Sequence, residues 1–403
     1  MALSNRTFCY LASTHLAETG AEEALWALNQ ARNTSGYSWS GWTISGSTAS
    51  KVLSGVAVTD RASATVTIQI ANYATDNPVV TTHGITRMTD GIPIDKQLQF
   101  TAKPAALFAN AVGATTSASF TISYTDTIDS YDSSVSIDPT SALQTSRDQA
   151  IVSAPTVAVN SAAILGYVAI SSSSPTFTNS TSGSVKGSFT SPSVLRDPSR
   201  IYSGASQSTF DISAPSGGTL LFSGSSTGTA AIGTAGATTP SVYYDGPYGI
   251  ALSGSDKLTI NGPVIIVVSH NLSISNSASI VVSSSGSAQI IVAGAIDISG
   301  GGIVNQTSLP AKLLVAGTSS SAYGFSSGTY TARLATSAPF YGALYVPSGS
   351  LQLYGTTTLY GSAVAKTVDR GWGNGVLHYD LNLRKVAFST LSTPSDIESW
   401  SVE

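Results

Sequence analysis

Small and apolar residues recur at steps of three and four near the start of the chain, at Ala17, Gly20, Ala21, Ala24, Leu28 and Ala31. That period predicts a helix over residues 5–31, and its stripe of small side chains predicts close docking against another element. Glu18, Glu22, Asn29 and Arg32 fall largely on the other side, and residues 33–36 read as the stop. From Tyr37 the period drops to two: ATVTIQI at 64–70 and SASFTISY at 117–124 alternate as half-buried strands do, which predicts a small sheet packed on the helix. Residues 138–149, containing Ser, Thr and Pro, read as a linker or crossover. Short β runs at near-regular spacing follow.

Those later runs repeat. IIVVSHNLSIS at 265–275 aligns with QIIVAGAIDIS at 289–299, an interval of 24, and LLVAG at 313–317 aligns with IIVAG at 290–294, an interval of 23. Looser copies occur at 257–261 and 342–354, and residues 319–338 read as an insertion that breaks the period. Short strands recurring at this interval, separated by Gly, Ser and Asn, are what one turn of a parallel β-solenoid needs. An antiparallel sandwich with coincidental spacing is the alternative. The fold class expected is therefore mainly β: an N-terminal α-helix with a small β-sheet domain, followed by a parallel β-solenoid (β-helix). The expected divisions are 1–36 (helix), 37–149 (small β-rich domain), 150–388 (solenoid) and 389–403 (tail). In the solenoid, Ile266, Ile290 and Leu313 or Leu314 should form one inward column.

Composition narrows the function. Charged residues make up 10% of 403 positions, well under the ~25% of ordinary domains, and the net charge is −4 with no basic block. Nucleic acid is thereby excluded as an expected partner. Cys9 is the only cysteine, so an intrachain disulfide and a thiolate metal cluster are excluded. His15, His83, His270 and His378 are scattered without zinc-ligand spacing, and no nucleophile, P-loop or Rossmann motif is present. Asp297, alternating with Ile296 and Ile298, should point outward, exposed and alone. Asp126, Asp129 and Asp132 stand at steps of three. They read either as a calcium loop or, preferably, as a polar turn capped by Asp side chains. No other cofactor is expected.

Three segments resemble one family, the PilX-type accessory subunits of bacterial type IV pili. LAETGAEEALWALN at 16–29 is similar to the stretch that follows the membrane-spanning half of the family's N-terminal helix. IDSYDSS at 128–134 resembles a motif of the region that follows, and residues 262–384 resemble an attached β-solenoid domain that closes in HYDLNLR at 378–384. The resemblance implies a structural, non-catalytic role at the bacterial cell surface. Ala17, Gly20, Ala21, Ala24 and Leu28 would dock among other pilin subunits, and the β domain would project from the pilus or its tip, with surface glycans or other cells as its ligands. The family's apolar N-terminal segment is absent before Ser4, and an anchor upstream of Met1 is the expectation. His378, Tyr379, Asp380 and Arg384 are expected as a structural cap on the last coil rather than a catalytic cluster. Two other classes fit the β pattern: a secreted β-helical adhesin, against which residues 16–29 argue, and a β-helical carbohydrate-active enzyme such as a polysaccharide lyase or phage tailspike, against which the scarcity of charge argues.

Overall fold

A computed structural model describes the chain apart from residues 1, 34–36, 60–61, 76, 89–90, 117–118, 124–125, 171–175, 180–182, 189–194, 204–206, 208, 223–226, 371–373, 393–394 and 403. The expected helix stop at 33–36 thus falls mostly outside the described residues, as do both ends of the run 117–124, whose centre is the strand Ser119–Ser123. The chain divides into two compact units, residues 1–105 with 392–403 and residues 106–391. The divisions expected at 36, 149 and 388 do not coincide with these. Helix and first sheet share one core, residues 106–149 belong to the second unit, and the expected tail returns as a strand of the first.

The first unit is one helix, α1 (Ala2–Asn33), against one antiparallel sheet. The sheet runs β1 (Thr43–Ser45), β2 (Thr48–Thr59), β3 (Ala62–Ala71), β4 (Val79–Met88), β5 (Ile94–Pro104) and then the C-terminal strand Ser395–Val402. Alternation in β3 buries Ala62, Ala64, Val66, Ile68 and Ile70 on one face, and α1 covers that face with its small-residue stripe. Ala17, Gly20, Ala21, Ala24 and Leu28 are all buried there. A Cβ on Gly20 would lie 2.8 Å from Val66 Cγ1, and one on Gly84 would fall on the Ser13 carbonyl oxygen. Helix and sheet therefore meet nearly backbone to backbone, an approach only glycine permits. Thr82 Oγ1 donates to Ala17 O at 2.8 Å, and Ser13 Oγ lies 2.9 Å from Thr86 Oγ1. The docking stripe is thus real, but its partner is the chain's own sheet.

The second unit is built of parallel strand ladders. In one, Pro263–Val268, Ser287–Val292, Leu313–Gly317 and Phe340–Leu353 lie side by side. A second holds Leu272–Ile274, Ile296–Gly300 and Ala332–Thr336, and a third holds Ala230–Ile232, Lys257–Ile260, Ser279–Val282 and Ile303–Asn305. The antiparallel sandwich is overturned: among the described residues, antiparallel pairing in this unit is confined to the hairpin Tyr323–Phe325/Gly328–Tyr330 and one bridge, Ile212 to Leu391. The expected register of 24 holds from Ile265 to Gln289, and Ile266 and Ile290 share a buried column. The next residue in that column is Val315, not Leu313 or Leu314. Two extra residues are absorbed before Leu313, where the 3₁₀ turn Pro310–Lys312 leads into the strand.

Two features of this unit were not foreseen. Its first ladder is largely apolar on both faces, and residues 209–213 and 386–391 run across its outward side. Tyr345 Oη donates to Phe210 O at 2.6 Å, Ser213 N to Thr390 O at 2.7 Å, and Thr390 N to Gln289 Oε1 at 3.1 Å. Two-sided cover accounts for near-continuous apolar runs such as IIVV. Spatial order also departs from chain order. Thr358–Arg370 pairs with Val376–Asp380 through residues 358–360 and with Val112–Ala114 through residues 363–365. Thr127–Tyr131, Ala150–Ala154 and Ala163–Ile170 follow. Because long strands each span two partners, the hydrogen-bonded set closes on itself.

Candidate functional site

The strand Val376–Asp380 carries the densest set of polar groups that the sequence singled out, and it pairs in parallel with Thr127–Tyr131: His378 faces Asp129, Tyr379 faces Ser130 and Asp380 faces Tyr131. Alternation sends Tyr379 into the core, fully buried, where its Oη donates to Phe108 O at 2.6 Å. Arg384, from the 3₁₀ turn Leu381–Lys385, donates to Tyr379 Oη at 3.2 Å and to Gln149 O at 2.8 Å. His378 Nδ1 and Asp129 Oδ1 are 2.6 Å apart. Asp380 accepts from Ser133 N, Ser133 Oγ and Asn382 N at 3.1, 2.8 and 3.1 Å.

This corrects the placement of His378, Tyr379, Asp380 and Arg384. The strand has a parallel neighbour on each side, Thr358–Arg370 and Thr127–Tyr131, so it lies inside the hydrogen-bonded ladder and not at an end of it. The residues join two stretches of chain some 250 positions apart. Electrostatics follow from that position. Burial raises the Asp380 carboxyl against the opposing hydrogen bonds from Ser133 and Asn382, and pushes Tyr379 up to about 12 despite Arg384.

The three carboxylates read as a calcium loop are also placed. Asp126 accepts from Gly375 N at 2.6 Å and sits 3.2 Å from Arg370 Nε; burial raises it in spite of both. The same burial lowers Arg370. Asp129 belongs to His378, and Asp132 accepts from Ser134 N at 2.9 Å in a local turn. Each carboxylate thus has a different protein partner, and among the described residues no group of three His, Cys, Asp or Glu side chains is placed to hold a metal ion. Steps of three on a strand turn side chains to opposite faces, which is why the three do not converge.

A second cluster was not read from the sequence. Asp297, expected exposed and alone, is 23% exposed and paired bidentately with Arg333 at 3.0 and 2.9 Å. It stands in an outward row in register along the ladder, where Ser273 precedes it and Arg333, Gln352 and Asp369 follow. The intervals in sequence are irregular because the connections between successive strands of the ladder differ in length, so only the pairing reveals the row. Three rungs separate the two carboxylates, roughly 14 Å at the usual strand spacing. The acid pairs that hydrolyse glycosides stand about 5–9.5 Å apart, so these two do not form such a pair.

Residues 224–386 match a family model described as a domain of unknown function, DUF7305. No curated protein and no solved structure matches the chain. The matched stretch includes the repeats, the hairpin, the outward row and the strand Val376–Asp380.

Proposed function

We propose that this chain is a non-catalytic, extracellular structural subunit of a type IV pilus or related surface filament, of the PilX type, with a parallel β-solenoid as its displayed domain. The observation that carries the proposal is the first unit: a long helix laid by a small-residue stripe on an antiparallel sheet, with the motif at residues 16–29 supplying the stripe. Because Ala17, Gly20, Ala21, Ala24 and Leu28 are occupied by that sheet, the surface left for other subunits is the opposite side of α1, where Phe8, Leu11 and Trp26 are 42%, 53% and 53% exposed. Three exposed large apolar side chains along one helix form a surface suited to association.

The solenoid reading is supported by strands that recur at near-constant interval and stack in parallel over successive rungs. A barrel's sheet curls around one axis with each strand in a single ring. Here the closure arises where long strands bend across a corner and take two partners each, as coils of a solenoid do.

The test is made in the source cell with the complete gene. Filaments sheared from the surface should contain the protein, and Leu11→Asp with Trp26→Asp should remove it from them while the purified variant keeps its fold. Recovery of the wild-type protein only as a free secreted species, with no trace in sheared filaments, would sink the filament reading and leave the adhesin.

A further inference from the structure

Between Gly317 and Ala332 the chain leaves its own repeat. The equivalent corner one circuit earlier, from Val292 to Ile296, takes residues 293–295, whereas this one takes residues 318–331. The added chain folds into the hairpin Tyr323–Phe325/Gly328–Tyr330, and the hairpin lies on the outward row. The Phe325 ring faces the Arg333 guanidinium at 5.0 Å, and Arg333 Nη1 donates to Ser326 Oγ at 3.1 Å. Ser327 Oγ donates to Gln352 Oε1, and Tyr330 Oη donates to Asp369 Oδ2 at 2.6 Å. Burial and the Asp369 carboxylate push the Tyr330 hydroxyl up to about 12.

Two independent facts coincide here. The corner that is lengthened is the one that overhangs a row holding three charged side chains, in a chain with only 10% charged residues. The groups the hairpin brings to that row are hydroxyls and one flat ring. Carboxylate and amide oxygens accept from hydroxyls, and a guanidinium donates to them or packs against a flat apolar face. Those are the contacts a sugar chain makes. A peptide strand would instead add to a sheet through its backbone, and the row is an outward face rather than a free edge.

We propose that Asp297, Arg333, Gln352 and Asp369 form a binding track for a neutral, hydroxyl-rich oligosaccharide, and that the hairpin of residues 323–330 occupies it as an internal stand-in which the ligand displaces. Four rungs at roughly 4.8 Å spacing give a track suited to a chain of sugars rather than to one ring. The inference does not depend on assembly into a filament.

Two full-chain variants test it. In one, residues 318–331 are replaced by the Ala-Gly-Ala corner of residues 293–295. In the other, the hairpin backbone is kept and Phe325→Ala, Ser327→Ala and Tyr330→Phe remove its contacts. Cello-, xylo-, manno- and chito-oligosaccharides are titrated calorimetrically against each and against wild type, with thermal unfolding as the control for folding. At least one oligosaccharide should bind the variants about tenfold more tightly than wild type, the change expected from freeing roughly one net hydrogen bond. Asp369→Asn in the same background should abolish the gain. Folded variants that bind none of the sugars, binding equal to wild type, indifference to Asp369→Asn, or a preference for extended peptides would each overturn the proposal. Should the shortened corner fail to fold, the triple substitution decides alone.

Discussion

Buried carboxylates make the region around Val376–Asp380 sensitive to pH, and the sign can be worked out residue by residue. Asp126 and Asp380 both lie above the ordinary carboxylate range because burial penalises their charge. An acid raised in the folded state contributes stability that is fully present below its unfolded pKa of about 3.9 and is lost as pH rises through the folded value. These two groups therefore favour the folded state more in mild acid than at neutrality. In Asp380→Asn the amide oxygen can still accept from Ser133 N and Asn382 N, while the titration disappears. Its melting temperature should gain on wild type by a few degrees between pH 4 and pH 7, since 1 kcal/mol moves a domain of this size by roughly 2–4 °C. A difference that stays flat across that range would show that the hydrogen bonds fully compensate for burial. None of this was visible in the sequence, which placed Asp380 at a stack end and so in reach of water. The small residues of α1 were visible, because Gly20 and the alanines around it recur at helical steps whatever they dock against.

At the level of elements, what was legible depended on whether a strand has one wet face. β3 alternates because only one side is buried, and its inward residues could be read directly. Leu313–Gly317 is buried at every position, so a slip of two residues keeps the same faces and leaves no mark in the pattern. LLVAG therefore matches IIVAG in sequence at an interval of 23, while the ladder pairs Val292 with Gly317 at 25. The straps over the outward side, residues 209–213 and 386–391, escaped because they have no period of their own. The 3₁₀ turn Leu381–Lys385 gives this scale its own test. Arg384 ties that turn to Tyr379 Oη and Gln149 O, so Arg384→Ala should strip two donors from partly buried acceptors. A loss of about 1–3 kcal/mol is the ordinary result of leaving such a group unsatisfied, and the second unit's melting temperature should fall by several degrees. A melting temperature unchanged from wild type would show that Arg384 holds nothing together.

On the scale of the whole molecule, the second unit is an insertion into the first. Chain leaves β5 at Pro104 and returns at Ser395, and those two residues are direct neighbours in the antiparallel pair that β5 makes with the C-terminal strand. Ser395 is also held from α1, by Asn29 Oδ1 at 2.5 Å and Arg32 Nη1 at 2.6 Å. The sequence could not reveal this, because a strand at residues 395–402 carries no signal of which sheet it joins, and a linear division of the chain was the simplest reading. Each unit has a separate buried core, one built on α1, β3 and β4 and the other running through the parallel ladders. Separate cores and adjacent entry and exit points are what allow one domain to sit inside another. Residues 106–391 expressed alone should therefore fold, with a β-type circular dichroism spectrum and a cooperative melting transition within a few degrees of the corresponding transition in the full chain. Residues 1–105 joined to 392–403 by a short Gly-Ser linker should likewise keep α1 on its sheet, whereas ending the chain at residue 391 should expose β5 as a bare edge and lower that unit's stability selectively. An excised 106–391 that is unfolded or aggregated under conditions where the full chain is native would show that the two cores are not independent.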